Sequence, residues 1–333
     1  MRKVLRYLKL AVFGLGSFSL VIALFLALVY FLGPVEDAEL TAEFDESQLE
    51  AGVDAYLAAR EAAFDDITPG VEKQVIWAGA PEAETEWAVL YIHGFSASAQ
   101  EIRPVPDRVA EALGANLVFT RLQGHGRTGE ALAEATVAGW MADLAEALAV
   151  ARKVGEKVLV ISTSTGGTLA AAAALDKQLS KDVAALAFVS PNFGINNSAA
   201  SLLTLPAARY WLPPLVGRER SFEPANEGQA TYWTTTYPSV AVLPMAALVK
   251  EVVALDFSAT KIPALFWYSE EDQVVVPEAT KAVAKAWGGP HYVVHPLMKE
   301  GDDPFAHVVA GDIMSPNQTQ LAIDGIVYFV EGL

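Results

Sequence analysis

Three side chains that are far apart in the sequence, Ser164, Asp272 and His307, have the types and the order that nucleophilic hydrolysis requires. A serine hydroxyl is a weak nucleophile until a neighbouring base takes its proton, and an acid beside that base fixes its orientation. Each of the three residues follows an apolar run that is typical of a buried parallel strand. The sequence therefore predicts a catalytic triad with Ser164 as nucleophile, His307 as base and Asp272 as orienting acid.

The serine lies in a turn between a predicted strand at residues 157–161 and an alanine-rich predicted helix. The small residues of the pentad 162–166 allow a tight turn that lifts the hydroxyl above the edge of the sheet. The start of the following helix offers free N–H groups and a positive dipole end to a developing oxyanion. We expect the backbone N–H groups of Phe95 and Thr165 to form the oxyanion hole.

The choice of base and acid rests on position along the chain. His307 follows the last predicted strand and precedes the terminal helix, whereas the other four histidines have positions typical of structural residues. These four are His93 in the oxyanion loop, His125 in a Gly-His-Gly turn, and His291 and His295 at strand ends. Asp272 precedes an apolar run and a proline, which suits the beginning of a helix. Other acids remain alternatives: Glu270 and Glu271 first, then Asp302 and Asp303.

Composition excludes several kinds of chemistry. The chain of 333 residues has no cysteine, so it has no thiolate nucleophile, cysteine metal site or disulfide. Its net charge is −17, and all 40 acidic residues follow residue 35. An acidic domain of this kind repels phosphate backbones, which argues against a nucleic-acid partner. We expect neither a metal nor an organic cofactor.

The first 33 residues predict a membrane anchor. Four basic residues precede position 10, and the stretch from residue 10 to 32 is uncharged, apolar and long enough to cross a bilayer. The charge distribution predicts a cytoplasmic N-terminus and a domain on the periplasmic or extracellular side. A cleaved secretion signal is the alternative.

The rest of the chain predicts a linker and an amphipathic helix at residues 34–70, followed by a single α/β domain at 71–333. The amphipathic helix is expected to begin with a capping box at Ser47-Gln48-Leu49-Glu50.

Strands are predicted at residues 73–77, 87–92, 116–120, 158–161, 183–189, 264–268 and 291–295. Helices are predicted at residues 99–113, 137–154, 167–178, 277–287 and 318–329. This alternation indicates a mostly parallel sheet with helices on both faces. The aromatic segment at about 195–260 interrupts it and is predicted to be a cap over the site.

From about residue 71 to 333 the chain resembles α/β-hydrolase-fold serine hydrolases, in the branch of carboxylesterases, monoacylglycerol lipases and serine aminopeptidases. The matching pieces are His93-Gly94-Phe95, Gly124-His125-Gly126, Ser164-Thr165-Gly166-Gly167, Asp272-Gln273-Val274-Val275 and His307. The resemblance implies, in that order, an oxyanion loop, a structural turn, a nucleophile elbow, a triad acid and a triad base. Ser162 departs from the pattern, since the family usually has glycine there.

The expected activity is hydrolysis of a small-molecule acyl ester, and the cap and the anchor together favour a lipophilic one. Thioesterase, amidase or peptidase, and acyltransferase activities remain alternatives because they can use the same triad. A membrane-tethered binding protein without turnover is an alternative from another class. Relatives with a carboxylate nucleophile, such as dehalogenases and epoxide hydrolases, are disfavoured by Ser164.

Overall fold

The structure, a computed structural model, describes residues 2–333, with the side chains of residues 2–5, 8–12, 14–16 and 18 excepted. Its strands are β1 (Gln74–Ile76), β2 (Thr85–Ile92), β3 (Asn116–Phe119), β4 (Gly155–Thr163), β5 (Val183–Val189), β6 (Glu219–Ser221), β7 (Thr236–Pro238), β8 (Ala264–Trp267) and β9 (His291–Val294). Its helices are α1 (Arg2–Leu32), α2 (Val53–Glu61), α3 (Val105–Leu113), α4 (Gly129–Ala133), α5 (Val137–Val154), α6 (Thr165–Ala173), α7 (Ala208–Val216), α8 (Glu227–Tyr232), α9 (Val242–Val252), α10 (Pro277–Ala286) and α11 (Thr319–Glu331).

The centre of the molecule is a sheet in the order β1-β3-β2-β4-β5-β8-β9. β1 is antiparallel to β3, and all other neighbours in this sheet are parallel. Its seven strands correspond to the seven that the sequence predicts, and the mostly parallel arrangement is confirmed. In the register of β2 and β4, Ile92 lies opposite Ser162. The loops that follow these two strands therefore begin side by side at the carboxyl edge of the sheet.

Helices cover both faces of this sheet, as the apolar character of its strands requires. One core cluster contains side chains from α5, α6 and α9, and a second cluster on the other face contains side chains from α3 and α11. The alanines of α6 let this helix lie close to the sheet, and all nine of its residues are buried. The site at the carboxyl edge is thus held by a sheet whose central strands, β4 and β5, are largely buried.

The segment at residues 195–260 lies between β5 and β8. It contributes α7, α8, α9 and a second, two-stranded antiparallel sheet formed by β6 and β7. In this sheet Arg220 pairs with Tyr237, and both side chains belong to the wall of the cavity described below.

Helix α1 covers the stretch that the sequence predicts as a membrane anchor. Within the described part of the chain, no helix reaches the length and apolarity that a bilayer crossing requires. Part of the predicted span, at residues 10–12, 14–16 and 18, lies outside the residues with described side chains, so the anchor stays a prediction.

The predicted capping box before α2 is wrong. The Ser47 hydroxyl donates a hydrogen bond to the Asp45 carboxylate at 2.7 Å, and Asp45 is the N-cap of a short 3-10 turn at Glu46–Leu49. Helix α2 begins later, and the carboxylate of Glu82 accepts hydrogen bonds from the N–H groups of Val53 and Asp54, both at 3.0 Å. The cap comes from 29 residues further along the chain, so a local sequence motif does not show it.

Helix α3 begins at Val105, later than the predicted start at residue 99. Pro104 is the N-cap residue, and a proline disfavours helical backbone at the position before it. The preceding turns bring Glu101 to the wall of the cavity described below.

Candidate active site

Ser164 occupies the sharp turn between β4 and α6. Its backbone has φ 50° and ψ −116°, a conformation that is costly for a residue with a side chain and that recurs at functional sites. Glycines make the turn possible on the helix side. A Cβ atom on Gly166 would overlap the Ile92 carbonyl oxygen, and one on Gly167 would approach Pro191 Cβ to 2.7 Å. The turn thus holds the serine hydroxyl at the carboxyl edge of the sheet.

The structure brings together the three residues of the predicted triad. His307 Nε2 lies 3.1 Å from Ser164 Oγ, and His307 Nδ1 lies 2.8 Å from Asp272 Oδ2. The side chains of His307 and Asp272 are only 8% and 1% exposed. A carboxylate can only accept, so Nδ1–H donates to Asp272 and Nε2 keeps a lone pair directed at the serine hydroxyl. This arrangement can deprotonate Ser164.

Asp272 is held in place by the main chain. Its Oδ1 atom accepts hydrogen bonds from the N–H groups of Val274 at 2.8 Å and Val275 at 2.9 Å. The alternative acids lie elsewhere: Glu271 is exposed, and Glu270 lies 3.8 Å from His295. Of the acids in this loop, Asp272 is therefore the one that contacts the imidazole.

Asp303, which the sequence suggested only as a substitute acid, orders the loop that carries the base. Its Oδ2 atom accepts hydrogen bonds from the N–H groups of His307 at 3.0 Å and Val308 at 2.8 Å. Asp302 instead binds Gln318 and Asn317. Asp303 thus holds the backbone of the loop that carries the imidazole, and neither aspartate contacts the ring nitrogens.

The surroundings of His307 favour its charged form. Burial alone would lower the pKa of the imidazole, but the negative charge and the hydrogen bond of Asp272 outweigh burial, so the pKa lies above its ordinary value. The charges of Glu101 and Asp303 act in the same direction. These surroundings would therefore stabilise an imidazolium at this position.

The predicted oxyanion donors, Phe95 and Thr165, border the same cavity as Ser164. In the described part of the chain, neither of their N–H groups has a hydrogen-bond acceptor. Thr165 is the first residue of α6, where an N–H has no partner within the helix. The Phe95 ring packs edge-on against Tyr237 and His125, which holds the loop in place.

The remaining histidines contact the main chain. His93 is fully buried, its Nε2 atom accepts from the Leu122 N–H at 3.2 Å, and burial lowers its pKa to about 4. His125 lies against it, with 4.9 Å between the ring centres. His291 and His295 donate from Nδ1 to the carbonyl oxygens of Gly289 and Tyr268. None of these four rings contacts Ser164.

A cavity of about 680 Å³ opens over the serine. Much of its wall is apolar and aromatic, and part of that wall comes from the segment at residues 195–260. The larger apolar members are Phe95, Phe222, Trp233, Tyr237, Met245 and Phe305. A volume of this size holds a ligand considerably larger than an acetyl group.

Glu101 is a cavity residue that the sequence analysis did not single out. It is 3% exposed and lines the cavity together with Ser164 and His307. The available signal was a single acidic residue in the otherwise uncharged segment 94–102, directly after the oxyanion loop. A charged residue in such a segment is normally solvated, and only the tertiary structure buries this one.

Comparisons with known proteins agree on the fold. A model of the family described as serine aminopeptidase, S33, matches residues 83–295. Among solved structures, a metagenome-derived lipolytic enzyme from a report on LipS and LipT is 20% identical, with a TM-score of 0.63 over 80% of this chain and 99% of its own. A soluble variant of monoglyceride lipase from Saccharomyces cerevisiae is 10% identical, with a TM-score of 0.59 over 80% of this chain and 96% of its own. Est1E from Butyrivibrio proteoclasticus, with ferulic acid bound, is 19% identical, with a TM-score of 0.51 over 79% and 98%. No curated protein sequence matches this chain.

Proposed function

Because this chain belongs to the serine aminopeptidase S33 family and has the α/β-hydrolase fold, we propose that it is a serine hydrolase that cleaves carboxylic esters. The observation that carries the proposal is the position of His307, whose two ring nitrogens lie within hydrogen-bond distance of Ser164 and Asp272. This is the geometry of a nucleophile, a base and an orienting acid.

In the proposed mechanism, His307 takes the proton of Ser164 while the serine oxygen attacks the acyl carbon of the ester. The N–H groups of Phe95 and Thr165 stabilise the oxyanion, and the loss of one such donor typically costs about 3–4 kcal/mol. His307 then gives the proton to the departing alcohol, and an acyl-enzyme remains on Ser164. A water molecule, deprotonated by the same imidazole, releases the acid. Asp272 keeps the imidazole in the required tautomer throughout.

The proposed substrate is a lipophilic acyl ester. Support comes from the volume of the cavity and from its aromatic wall, which can enclose an acyl chain of several carbons. Thioesters, amides and acyl transfer remain alternatives because the same triad can act on them. No specific contact among the described residues favours one of these over an ester.

The test is hydrolysis of p-nitrophenyl esters from acetate to palmitate and of monoacylglycerols, with wild type and Ser164→Ala compared. We expect wild type to prefer acyl chains longer than acetyl, and Ser164→Ala to lose at least about a thousandfold in kcat while remaining folded. A fluorophosphonate probe should label wild type and leave Ser164→Ala unlabelled. A Ser164→Ala variant with most of its activity would disprove the nucleophile, and strict preference for acetyl would disprove the lipophilic substrate. An aminoacyl p-nitroanilide in the same panel measures peptidase activity.

We further propose that residues 1–33 attach the protein to a membrane, with the N-terminus in the cytoplasm and the catalytic domain outside. The support is the sequence, in which basic residues precede and acidic residues follow the apolar stretch. An ester hydrolase held there would meet lipophilic substrates at the bilayer surface.

A further inference from the structure

Glu101 makes short hydrogen bonds inside the active site that the mechanism above does not use. One carboxylate oxygen, Oε2, accepts from the Gly94 N–H at 2.7 Å and from the Tyr91 hydroxyl at 3.0 Å. Gly94 precedes Phe95, whose N–H is proposed as an oxyanion donor. The carboxylate therefore fixes the backbone immediately before that donor.

Close approach at Gly94 shows how tightly this carboxylate is placed. A Cβ atom on Gly94 would lie 2.8 Å from Glu101 Oε1 and 3.1 Å from Ser164 Cβ. The absence of a side chain at this position lets the carboxylate and the nucleophile both come close to the same point of the loop. Glu101 is thus built into the site and is not a surface residue that happens to point inward.

Tyr91 extends the connection to the nucleophile strand. Its hydroxyl lies 3.0 Å from Glu101 Oε2 and 3.1 Å from Thr163 Oγ1, and Thr163 directly precedes Ser164. The three side chains are buried. They join the end of β2, where the oxyanion loop starts, to the end of β4, where the nucleophile turn starts.

The charge of Glu101 also acts on the base. The titratable groups that face it are Tyr91 from β2 and His307 from the loop before α11, and His307 has the carboxylates of Asp272 and Asp303 as its other neighbours. An ionised Glu101 raises the pKa of His307. Burial in turn raises the pKa of Glu101 itself to about 7, so its charge is lost as the pH falls through neutrality.

We propose that Glu101 is a positioning residue of the oxyanion loop, which holds the Gly94 N–H in place and adds a negative charge beside His307 to those of Asp272 and Asp303. The inference rests on the proposed function, since it concerns the same reaction. The positioning role and the charge effect can be tested separately. A glutamine at this position keeps an acceptor oxygen for the Gly94 N–H but removes the charge, whereas a leucine removes both.

The test compares pH profiles of kcat and kcat/KM on p-nitrophenyl butyrate for the full-length protein and its variants. Glu101→Gln should lower kcat on the plateau less than Glu101→Leu does, because it keeps an acceptor oxygen, and should move the acid limb of kcat/KM to lower pH by roughly half a unit or more. Glu101→Leu should lower kcat on the order of 10- to 100-fold with little change in KM, because the oxyanion donor is misplaced. Glu111→Gln is the matched control: it removes one negative charge from an exposed position on α3 and should leave the profile unchanged.

An acid limb of Glu101→Gln that coincides with that of wild type would overturn the charge effect. A Glu101→Leu variant with the kcat of wild type would overturn the positioning role. If Glu101→Leu does not fold, Tyr91→Phe replaces it, since loss of the hydroxyl releases one of the two donors and should lower kcat in the same direction. Failure of the proposed function gives a different result, namely a wild-type protein that does not hydrolyse the ester.

Discussion

Single residues at this site depend on main-chain hydrogen bonds to keep their positions. Asp272 accepts two backbone N–H groups with the oxygen that does not face the imidazole. Asp303 accepts two more on the loop that carries His307. Hydrogen bonds from backbone to a carboxylate are strong and directional. They leave Asp272 and His307 little freedom, which is the preorganisation that the proposed mechanism requires.

The prediction at this scale concerns the pH dependence of wild type. His307 must be neutral to act as a base, and its pKa is raised by Asp272 despite burial. Activity should therefore fall as the pH drops through a value above about 6.5, the ordinary value for histidine. The measurement is kcat/KM for a soluble ester between pH 5 and 9. A profile that is flat from pH 5 to 8 would contradict the role of this base.

At the scale of elements, buried polar contacts connect helix α2 and the edge of the sheet to α5. Lys73, directly before β1, lies 2.7 Å from Asp143 and also contacts Glu146, both on α5. From α2, the Tyr56 hydroxyl donates to Glu146 at 2.6 Å. Each buried charge has an opposite partner, which offsets the cost of removing it from water.

We predict that Lys73→Met destabilises the protein by about 3–5 kcal/mol, because the buried carboxylates of Asp143 and Glu146 both lose a buried cationic partner. The measurement is the free energy of unfolding in urea. Lys157→Met is the control, since Lys157 is 49% exposed and its ion pair with Glu86 lies at the surface. We expect this variant to change the free energy by less than about 1 kcal/mol. Equal effects of the two substitutions would show that the burial of Lys73 with Asp143 and Glu146 adds nothing to the free energy of unfolding.

At the scale of the whole molecule, the end of α1 contacts the segment that borders the cavity. The Pro34 carbonyl accepts a hydrogen bond from the Ala207 N–H at 2.5 Å. The Glu36 carboxylate accepts two hydrogen bonds from the Arg209 guanidinium, both at 2.7 Å. A bidentate pair of this kind holds two groups in a defined orientation. The N-terminal helix therefore joins the domain next to the segment 195–260.

The prediction at this scale concerns location. Full-length protein should sediment with membranes, and a chain of residues 34–333 should remain in the supernatant with unchanged kcat/KM on p-nitrophenyl butyrate. Protease added to spheroplasts should cleave the domain. Full-length protein in the soluble fraction, or complete protection from the protease, would contradict the proposed anchor or its orientation. The N-terminal sequence of the membrane form distinguishes an anchor from a cleaved signal.

The sequence by itself determined the order of the secondary-structure elements and the positions of the proposed catalytic residues along the chain. Mostly apolar runs of four to seven residues are local signals, and so are the small residues around Ser164, which is why the seven strands of the main sheet and the serine turn were predictable. Only the tertiary structure decided which acid contacts His307, because Glu270, Glu271 and Asp272 share one loop and differ in direction. The tertiary structure also decided that Glu101 is buried and that Glu82 caps α2. Each of these contacts joins residues that come together only when β2 and its neighbours are in register. Contacts between distant segments depend on that register and on loop conformation, and a short stretch of sequence records neither.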